Sequence, residues 1–278
     1  TVSGTSWTFN DAGLGSKATY TYTAKVIDRA GNESALSNDY SITTNFDGSN
    51  QTTTIIRILD NVDPVQDPVA HQGTTNDTTP TLEGSVGAAI ATGEEVIIYR
   101  STGSQPAAEI GKATVTGTSW TFTDTSLAAD GTYIYTAVVR NNVGENGPAS
   151  NAYQVTLDTV APTSTATIVD YTDNVAPQEG NFGTGTTTND TSPTLNIAVT
   201  GAVGTGEVVA VYRDGVKVGN ATVNGANYSF TDNALTNGSS YKYTVRVEDA
   251  AGNRGTLSSE FTINVDTAPP TQDVQITG

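Results

Sequence analysis

The 278-residue sequence predicts an all-β protein, made of tandem immunoglobulin-like antiparallel β-sandwiches that form an elongated rod. Three observations lead to this fold class. Thr, Ser, Gly and Asn are abundant, whereas helix-favouring runs of Ala, Leu, Glu and Lys are missing. Apolar residues alternate with polar ones at a period of two, and Gly, Asn and Asp turns separate the short segments. Three motifs also recur in the same order along the chain.

The recurring motifs define a repeat. A segment that reads GTSWTF, GTSWTF and GANYSF begins at Gly4, Gly117 and Gly225. Two further motifs keep the same offsets, 113 residues and then 108. The shorter offset comes from one hairpin loop, since YRSTGSQPAAEIGKATV from Tyr99 aligns with YRDGVKVGNATV from Tyr212. A period of about 110 residues corresponds to one domain per repeat.

This period divides the chain into four segments. Residues 1–48 match only the second half of a repeat, residues 49–160 and 161–267 are complete repeats, and residues 268–278 begin another. Because the first segment lacks half of its strands, we expect that it does not close a core by itself. We also expect the chain to be part of a longer protein.

Each repeat contains the strand and turn signals of a sandwich. In the third repeat the predicted strands are TSTATIVDY, PTLNIAVTG, GEVVAVYRDG, KVGNATV, NYSFTD, YKYTVRVED and SSEFTINVD. The dipeptide Asp214-Gly215 predicts a two-residue hairpin turn. Leu14, Leu127 and Leu235 each lie six residues before a Tyr, a spacing typical of the tyrosine corner. Aromatic residues also share one repeat position and are interpreted as core residues rather than a sugar-binding platform. They are Trp7, Trp120 and Tyr228.

Composition narrows the function. The chain has 29 Asp and Glu against 12 Lys and Arg, a net charge of −17, so it repels phosphate backbones and anionic lipid. We therefore expect no nucleic-acid partner and no membrane insertion. The absence of Cys excludes disulfides, thiolate zinc sites and Cys nucleophiles. The single histidine, His71, falls in a predicted turn and is not repeated, so we expect no catalytic triad and no enzyme.

Acidic turns recur at the predicted domain ends. The motif TTNDTTPTL at residues 74–82 returns as TTNDTSPTL at residues 187–195, between the first and second strands of each complete repeat. A second acidic group lies between the last two strands, and a third ends each repeat. The last inter-strand loop points toward the preceding domain, whereas the first loop points toward the following one. We therefore expect acidic side chains from two domains to meet at each junction.

Clustered carboxylates repel one another unless a cation lies between them. Calcium accepts six to eight oxygen ligands from carboxylates, Asn side chains and backbone carbonyls. Asp and Asn also form ordinary turns by bonding their own backbone, so each residue alone has two interpretations. Charge, repetition and clustering together favour Ca²⁺ as the cofactor. The candidate ligands are Asp28, Asn45, Asp47, Asp60, Asp77, Glu94, Asp158, Asp170, Asp173, Asp190, Glu207, Asp249 and Asp266.

The ordered motifs DNV, TTNDTTPTL, GEEVIIYR, GTSWTF, D-x-A-G-N and the terminal V-D-T resemble the bacterial Ig-like repeats of giant, type I-secreted adhesins of Gram-negative bacteria. The resemblance implies calcium-binding domains of an extended cell-surface stalk. The chain departs from the pattern at Asn141, where Asp28 and Asp249 stand in the other repeats, and at Asn45. The junction before the second repeat is therefore expected to bind calcium more weakly, unless a neighbouring acid compensates. The acids considered are Asp47, Asp63 and Glu145.

Two functions follow as hypotheses. In the first, the chain is a monomeric, calcium-stiffened stalk segment on the bacterial surface, which contacts neighbouring Ig-like repeats and projects a host-binding region for cell adhesion. In the second, a repeat itself binds a host-cell glycan or protein receptor, through exposed Tyr side chains or the variable loop at residues 101–111.

Overall fold

The structure is a computed structural model that describes residues 2–14, 18–44, 48–64, 66, 68–225, 227–233, 235–272 and 274–275. Every regular element in these ranges is a β-strand, which confirms the predicted fold class. Numbered along the chain, the strands are β1 (Val2–Ser3), β2 (Ser6–Trp7), β3 (Ala18–Tyr22), β4 (Tyr40–Thr44), β5 (Thr53–Leu59), β6 (Pro68–Val69), β7 (Gly73–Thr75), β8 (Thr81–Val86), β9 (Glu95–Thr102), β10 (Ala108–Lys112), β11 (Thr114–Thr116), β12 (Ser119–Thr123), β13 (Gly131–Arg140), β14 (Tyr153–Leu157), β15 (Thr165–Asp173), β16 (Gly180–Phe182), β17 (Thr187–Thr188), β18 (Thr194–Thr200), β19 (Val208–Arg213), β20 (Val216–Asn220), β21 (Thr222–Asn224), β22 (Asn227–Thr231), β23 (Ser240–Glu248) and β24 (Phe261–Val265).

Strands β5 to β14 form one sandwich. One sheet has the order β10-β9-β13-β14-β7, and the other has the order β11-β12-β8-β5-β6. The pairs are antiparallel except for β14 and β7, which are parallel. Strands β15 to β24 form a second sandwich with sheets β17-β24-β23-β19-β20 and β16-β15-β18-β22-β21. Here β17 pairs in parallel with β24. The two repeats therefore share one topology.

Alternation along the strands builds each core. In β13, Tyr133, Tyr135, Ala137 and Val139 point inward and are buried. The corresponding face of β23 contributes Tyr243, Val245 and Val247 to the second core. These clusters do not merge, so each sandwich has a core of its own.

The local turn signals have the predicted geometry. The Tyr133 hydroxyl donates to the backbone carbonyl of Ala129 at 2.5 Å, as a tyrosine corner requires. In the next repeat the Tyr241 hydroxyl accepts a 2.9 Å hydrogen bond from the backbone N–H of Thr236. At the Asp-Gly hairpin, Asp214 and Gly215 both have positive φ, 51° and 82°, the conformation that a type I′ turn requires.

Trp120 is a core residue. Its indole N–H donates to the Thr53 hydroxyl at 2.9 Å, and its ring lies over Gly84, where a Cβ would meet the indole at 2.1 Å. In the next repeat the paired positions hold Ile197 and Tyr228. The large and small side chains are therefore exchanged between the two strands, so that a bulky ring faces Gly in one repeat and a smaller ring faces Ile in the other.

A buried ion pair crosses each core. Asp124 accepts from the Arg100 guanidinium at 2.5 Å and from the Tyr135 hydroxyl at 2.9 Å. Asp232 accepts from Arg213 and Tyr243 in the same arrangement. The sequence argument did not single out these aspartates, because each one's partners lie on other strands.

The half-repeat at residues 2–14 and 18–44 forms two two-stranded sheets, β1-β2 and β3-β4. Trp7, the counterpart of Trp120, is 62% exposed. Phe9, Val26, Leu36 and Tyr40 are exposed as well. The described part of this segment does not close a core, in agreement with the sequence-based expectation.

Candidate metal sites at the domain junctions

The TTND motif places two aspartates side by side at one end of the sandwich. Asp60 accepts a 2.6 Å hydrogen bond from the Thr75 hydroxyl, which itself accepts from the backbone N–H of Asp77 at 3.0 Å. The second carboxylate oxygen of Asp77 accepts from the N–H of Asn61 at 3.2 Å. Both carboxyl groups are buried. The motif therefore begins as the short strand β7 and continues as a turn that joins the two acids through Thr75.

The same arrangement recurs one repeat later. Thr188 donates its hydroxyl to Asp173 at 2.5 Å and accepts from the N–H of Asp190 at 2.9 Å. Asp190 also lies near Asn174, whose N–H reaches it at 3.4 Å. This near-identity of structure answers why the motif returns almost unchanged: both acids depend on the Thr between them.

The pair carries an electrostatic cost. Burial raises the pKa of Asp60, hydrogen bonds from Thr75 and Val62 partly offset this effect, and the charge of Asp77 raises the pKa further. None of the ion pairs among the described residues involves either acid. Backbone and Thr donors nevertheless satisfy these carboxylates, which is the ordinary turn chemistry of Asp.

The threonines connect these pairs to the acid that ends each repeat. The N–H of Asp158 donates to the Thr75 carbonyl at 2.9 Å, and the N–H of Asp266 donates to the Thr188 carbonyl at 2.9 Å. Each buried pair therefore lies at the end of its own domain that carries the terminal Asp.

At the second junction, side chains from two domains line one cavity of about 390 Å³. Asp158 comes from the end of the second repeat, whereas Glu207 and Asp249 come from loops of the third. The side-chain amide of Asn253 crosses the junction and donates to the backbone carbonyl of Asp158 at 2.7 Å. The linker and the loop between the last two strands thus meet.

Hydrogen bonds orient the three carboxylates. Asp158 accepts from the N–H of Val160 at 3.1 Å, and Glu207 accepts from the N–H of Gly204 at 2.7 Å. Asp249 accepts on one oxygen from the N–H of Asn253 at 2.9 Å and on the other from its amide at 2.9 Å. The groups that line the cavity are oxygen donors of the kind that calcium prefers.

The carboxylates are not drawn together around one point. Within the described residues, no three acidic or histidine side chains lie close enough to hold a metal ion. The chemistry of the cavity fits calcium, but coordination would require its side chains to rotate toward one another. Calcium ligation at this junction stays a prediction.

A direct ion pair also crosses the second junction. Arg254, in the loop between the last two strands, lies 3.1 Å from Asp63 of the preceding domain. The expectation that Asp63 compensates at the first junction is wrong. Asp63 follows the first strand of its domain, β5, and that loop lies at the opposite end, toward the third repeat.

Residues 52–159 and 165–267 match the bacterial Ig-like domain family. The chain belongs to this family. Domains of this fold are typically non-catalytic, and their functions depend on sites carried by individual members. The part of this bacterial Ig-like chain that the structure describes contains no helix with the length and apolarity needed to cross a membrane.

Three relatives of this bacterial Ig-like chain were found. Exoglucanase B of Cellulomonas fimi is 30% identical over 271 residues, which cover 95% of this chain and 22% of the relative. The chain thus spans about a fifth of that protein. The FN1-FN3 domains of chicken CNTN1 are similar over 90% of this chain and 76% of theirs, at 12% identity and a TM-score of 0.42. An I-band fragment of titin is similar over 77% and 65%, at 13% identity and a TM-score of 0.28.

The first junction differs from the second. Asn141 takes the place of Asp249, and its side-chain oxygen accepts from the N–H groups of Val143 at 3.0 Å and Glu145 at 2.9 Å. Glu94, the counterpart of Glu207, caps the N–H of Ala91 at 2.8 Å. Two candidate ligands at this junction lie outside the described residues. They are Asn45 and Asp47.

The other candidates occupy different places in the bacterial Ig-like repeats. Asp28 forms the same turn as Asp249, and hydrogen bonds from Asn32 lower its pKa. Asp266 caps the linker at its own domain end. Asp170 lies within β15, where it accepts from the Asn196 amide at 2.6 Å. It does not line the junction cavity, because β15 carries it away from the domain end.

Proposed function

We propose that the chain is a stalk segment of an extracellular bacterial surface protein, in which Ca²⁺ at the domain junctions restricts bending and a distal region is projected for cell adhesion. One observation carries this proposal: Asp158, Glu207 and Asp249 come from two domains and line the same cavity. The order of motifs, which resembles that of the Salmonella giant non-fimbrial adhesin, supports a large type I-secreted adhesin as the parent protein.

The charge of the cavity favours a divalent cation. Three carboxylates line it together with Thr, Val, Ala and Pro, and none of its described lining residues is basic. A calcium ion would supply positive charge between the two domains, held by Asp158, Glu207 and Asp249 with water completing the coordination. Neutralisation would lower the repulsion that otherwise favours separation of the two domains.

The affinity expected of such a site fits an extracellular location. Calcium sites of extracellular modules have dissociation constants of about 10⁻⁴ to 10⁻³ M. Sites in this range would be filled outside the cell and empty in the cytosol. The stalk would accordingly be flexible before export and stiff afterwards.

Small-angle X-ray scattering of the full chain, with calcium and with chelator, tests the proposal. We expect the maximum dimension to be larger and the flexibility lower with calcium. Asp249→Asn should remove most of this difference, because it removes a carboxylate from the cavity. Asp170→Asn is the matched control and should retain the difference, because Asp170 lies within a sheet. Equal scattering of the wild-type chain in both conditions would refute calcium stiffening.

The similarity to exoglucanase B supports a second setting, in which the same spacer belongs to a protein that acts on glucans. Binding of the chain to insoluble glucan, measured by co-sedimentation, separates a ligand-binding module from a spacer. A spacer should stay in the supernatant at every protein concentration. Saturable retention by the glucan would favour the binding module instead.

A further inference from the structure

The half-repeat exposes an apolar face that the complete repeats cover. We define the half-repeat face as the side chains of Trp7, Phe9, Leu14, Tyr22, Tyr40 and Ile42, which line a cavity of about 630 Å³ together with their neighbours. Val26, beside this face, is 74% exposed, whereas its counterpart Val139 is 0% exposed. The corresponding positions of the second repeat thus indicate that the face is built to be covered.

A polar pair marks the centre of this face. Tyr22 donates its hydroxyl to Asp11 at 2.9 Å, and the N–H of Gly13 donates to the other carboxylate oxygen at 3.0 Å. The counterpart Asp124 accepts from Tyr135 at 2.9 Å and from the N–H of Ser126 at 3.0 Å. The half-repeat therefore forms the same carboxylate cradle without its opposite strands.

In each complete repeat the cradle holds an arginine from a central strand of the opposite sheet. Arg100 of β9 lies 2.5 Å from Asp124, and its guanidinium lies 5.4 Å from the centre of the Tyr133 ring. Arg213 of β19 repeats both contacts in the third repeat, with Asp232 at 2.8 Å and the Tyr241 ring at 5.4 Å. None of the ion pairs among the described residues involves Asp11.

We propose that the half-repeat face is the docking surface for the first half of a bacterial Ig-like repeat, equivalent to residues 49–113, whose central strand carries an arginine that pairs with Asp11. Charge complementarity selects this occupant. A second copy of the half-repeat would instead bring Asp11 against another Asp11, and two carboxylates in an apolar interface repel.

The sequence permits a direct test by extension of the full chain. Thr1-Val2 aligns with Thr114-Val115, so residues 49–113 can be added directly before Thr1 without a linker. The added segment contains no Trp, and Trp120 is already buried, so a change in acrylamide quenching reports on Trp7. We expect the readily quenched Trp7 emission of the original chain to disappear in the extended chain. Persistence of that emission would overturn the proposal.

Substitutions in the added segment test the role of the arginine. Arg100→Gln there should lower the equilibrium constant for docking about tenfold or more, because it leaves Asp11 without its charged partner. Arg57→Gln is the matched control and should have little effect, since Arg57 is about half exposed and pairs with Glu83 on the surface. Arg100→Lys should restore part of the loss. In a chain that also carries Asp11→Asn, the loss caused by Arg100→Gln should be much smaller.

Two results would contradict this assignment. Equal effects of Arg100→Gln and Arg57→Gln would show that the cradle does not select an arginine. A dimer of the original chain in sedimentation equilibrium, with Trp7 protected from acrylamide, would show that a second copy covers the face. All measurements are made in chelator, so their outcome is separate from that of calcium stiffening.

Discussion

Asn253 donates its side-chain amide to the backbone carbonyl of Asp158 at 2.7 Å, across the boundary between two domains. The same amide holds Asp249 at 2.9 Å. One neutral side chain therefore connects the end of one repeat to the acidic loop of the next. This contact does not depend on a cation, so part of the domain orientation should persist in chelator.

The first prediction concerns this contact. Asn253→Ala should broaden the distribution of distances between spin labels at the exposed positions Ser104 and Val216, measured by double electron-electron resonance in chelator. The physical reason is loss of the hydrogen bond that crosses the junction. Asn32→Ala is the matched control, because Asn32 makes the same contact to Asp28 within the half-repeat. Its distance distribution should equal that of the unaltered chain.

The second prediction concerns the buried ion pair of the second repeat. Asp124→Asn should lower the free energy of unfolding of that domain by about 2 to 4 kcal/mol at pH 7, because it leaves Arg100 partly buried without a charged partner. Urea unfolding followed by Trp120 fluorescence measures the change. Glu83→Gln, which removes the more exposed pair with Arg57, should cost less than about 1 kcal/mol.

The cost of Asp124→Asn should depend on pH. Burial favours a higher pKa for Asp124, but hydrogen bonds from Ser126, Arg100 and Tyr135 outweigh it and lower the pKa below the ordinary value. The stabilisation is therefore complete above the unfolded pKa of about 3.9 and is lost as the pH falls through the folded pKa. The two proteins should converge in acid. A difference that stays constant down to pH 2 would contradict this mechanism.

The third prediction uses the exchange of large and small side chains between repeats. Gly84→Ile should cost at least about 3 kcal/mol, because a Cβ there already meets Trp120 at 2.1 Å and the Thr54 carbonyl at 2.4 Å. Adding Trp120→Tyr creates the pair found at Ile197 and Tyr228, and should recover about 1 kcal/mol or more. Thermal unfolding followed by circular dichroism measures both.

A control and a contrary outcome complete this test. Gly183→Ala should change the free energy of unfolding by less than about 0.5 kcal/mol, since nothing lies within 4 Å of its Cβ position. If the double variant were no more stable than Gly84→Ile alone, the backbone clash with Thr54 would dominate over the ring.

Local patterns predicted the elements whose causes are local. The Asp214-Gly215 hairpin and the tyrosine corner at Tyr133 follow from residues within a few positions of each other. The parallel strands β7 and β17 were missed, because a strand of two or three residues shows no period. Their position depends on pairing with the last strand of the repeat, which is about 80 residues away.

The candidate sites show the same limit. Repetition alone identified Asp158 and Asp249 as junction residues, and both line one cavity. It could not identify the contact between Arg254 and Asp63, because that contact depends on the orientation of two domains. The role of Asp124 was missed for a related reason. Its arginine and tyrosine partners come from separate strands, and sequence spacing does not encode their convergence.

The last prediction concerns the weaker first junction and rests on the proposed calcium role. Asn141 accepts from two backbone N–H groups through its side-chain oxygen, as Asp249 does, so Asn141→Asp should keep the turn and add one carboxylate oxygen. Calcium affinity depends on ligand charge, so isothermal titration should show tighter or additional calcium binding. Asn220→Asp adds the same charge at an exposed strand end, away from the junction, and should leave binding unchanged. Equal titrations of the two variants would mean that the loop between the last two strands does not ligate calcium, because added charge alone would then explain the result.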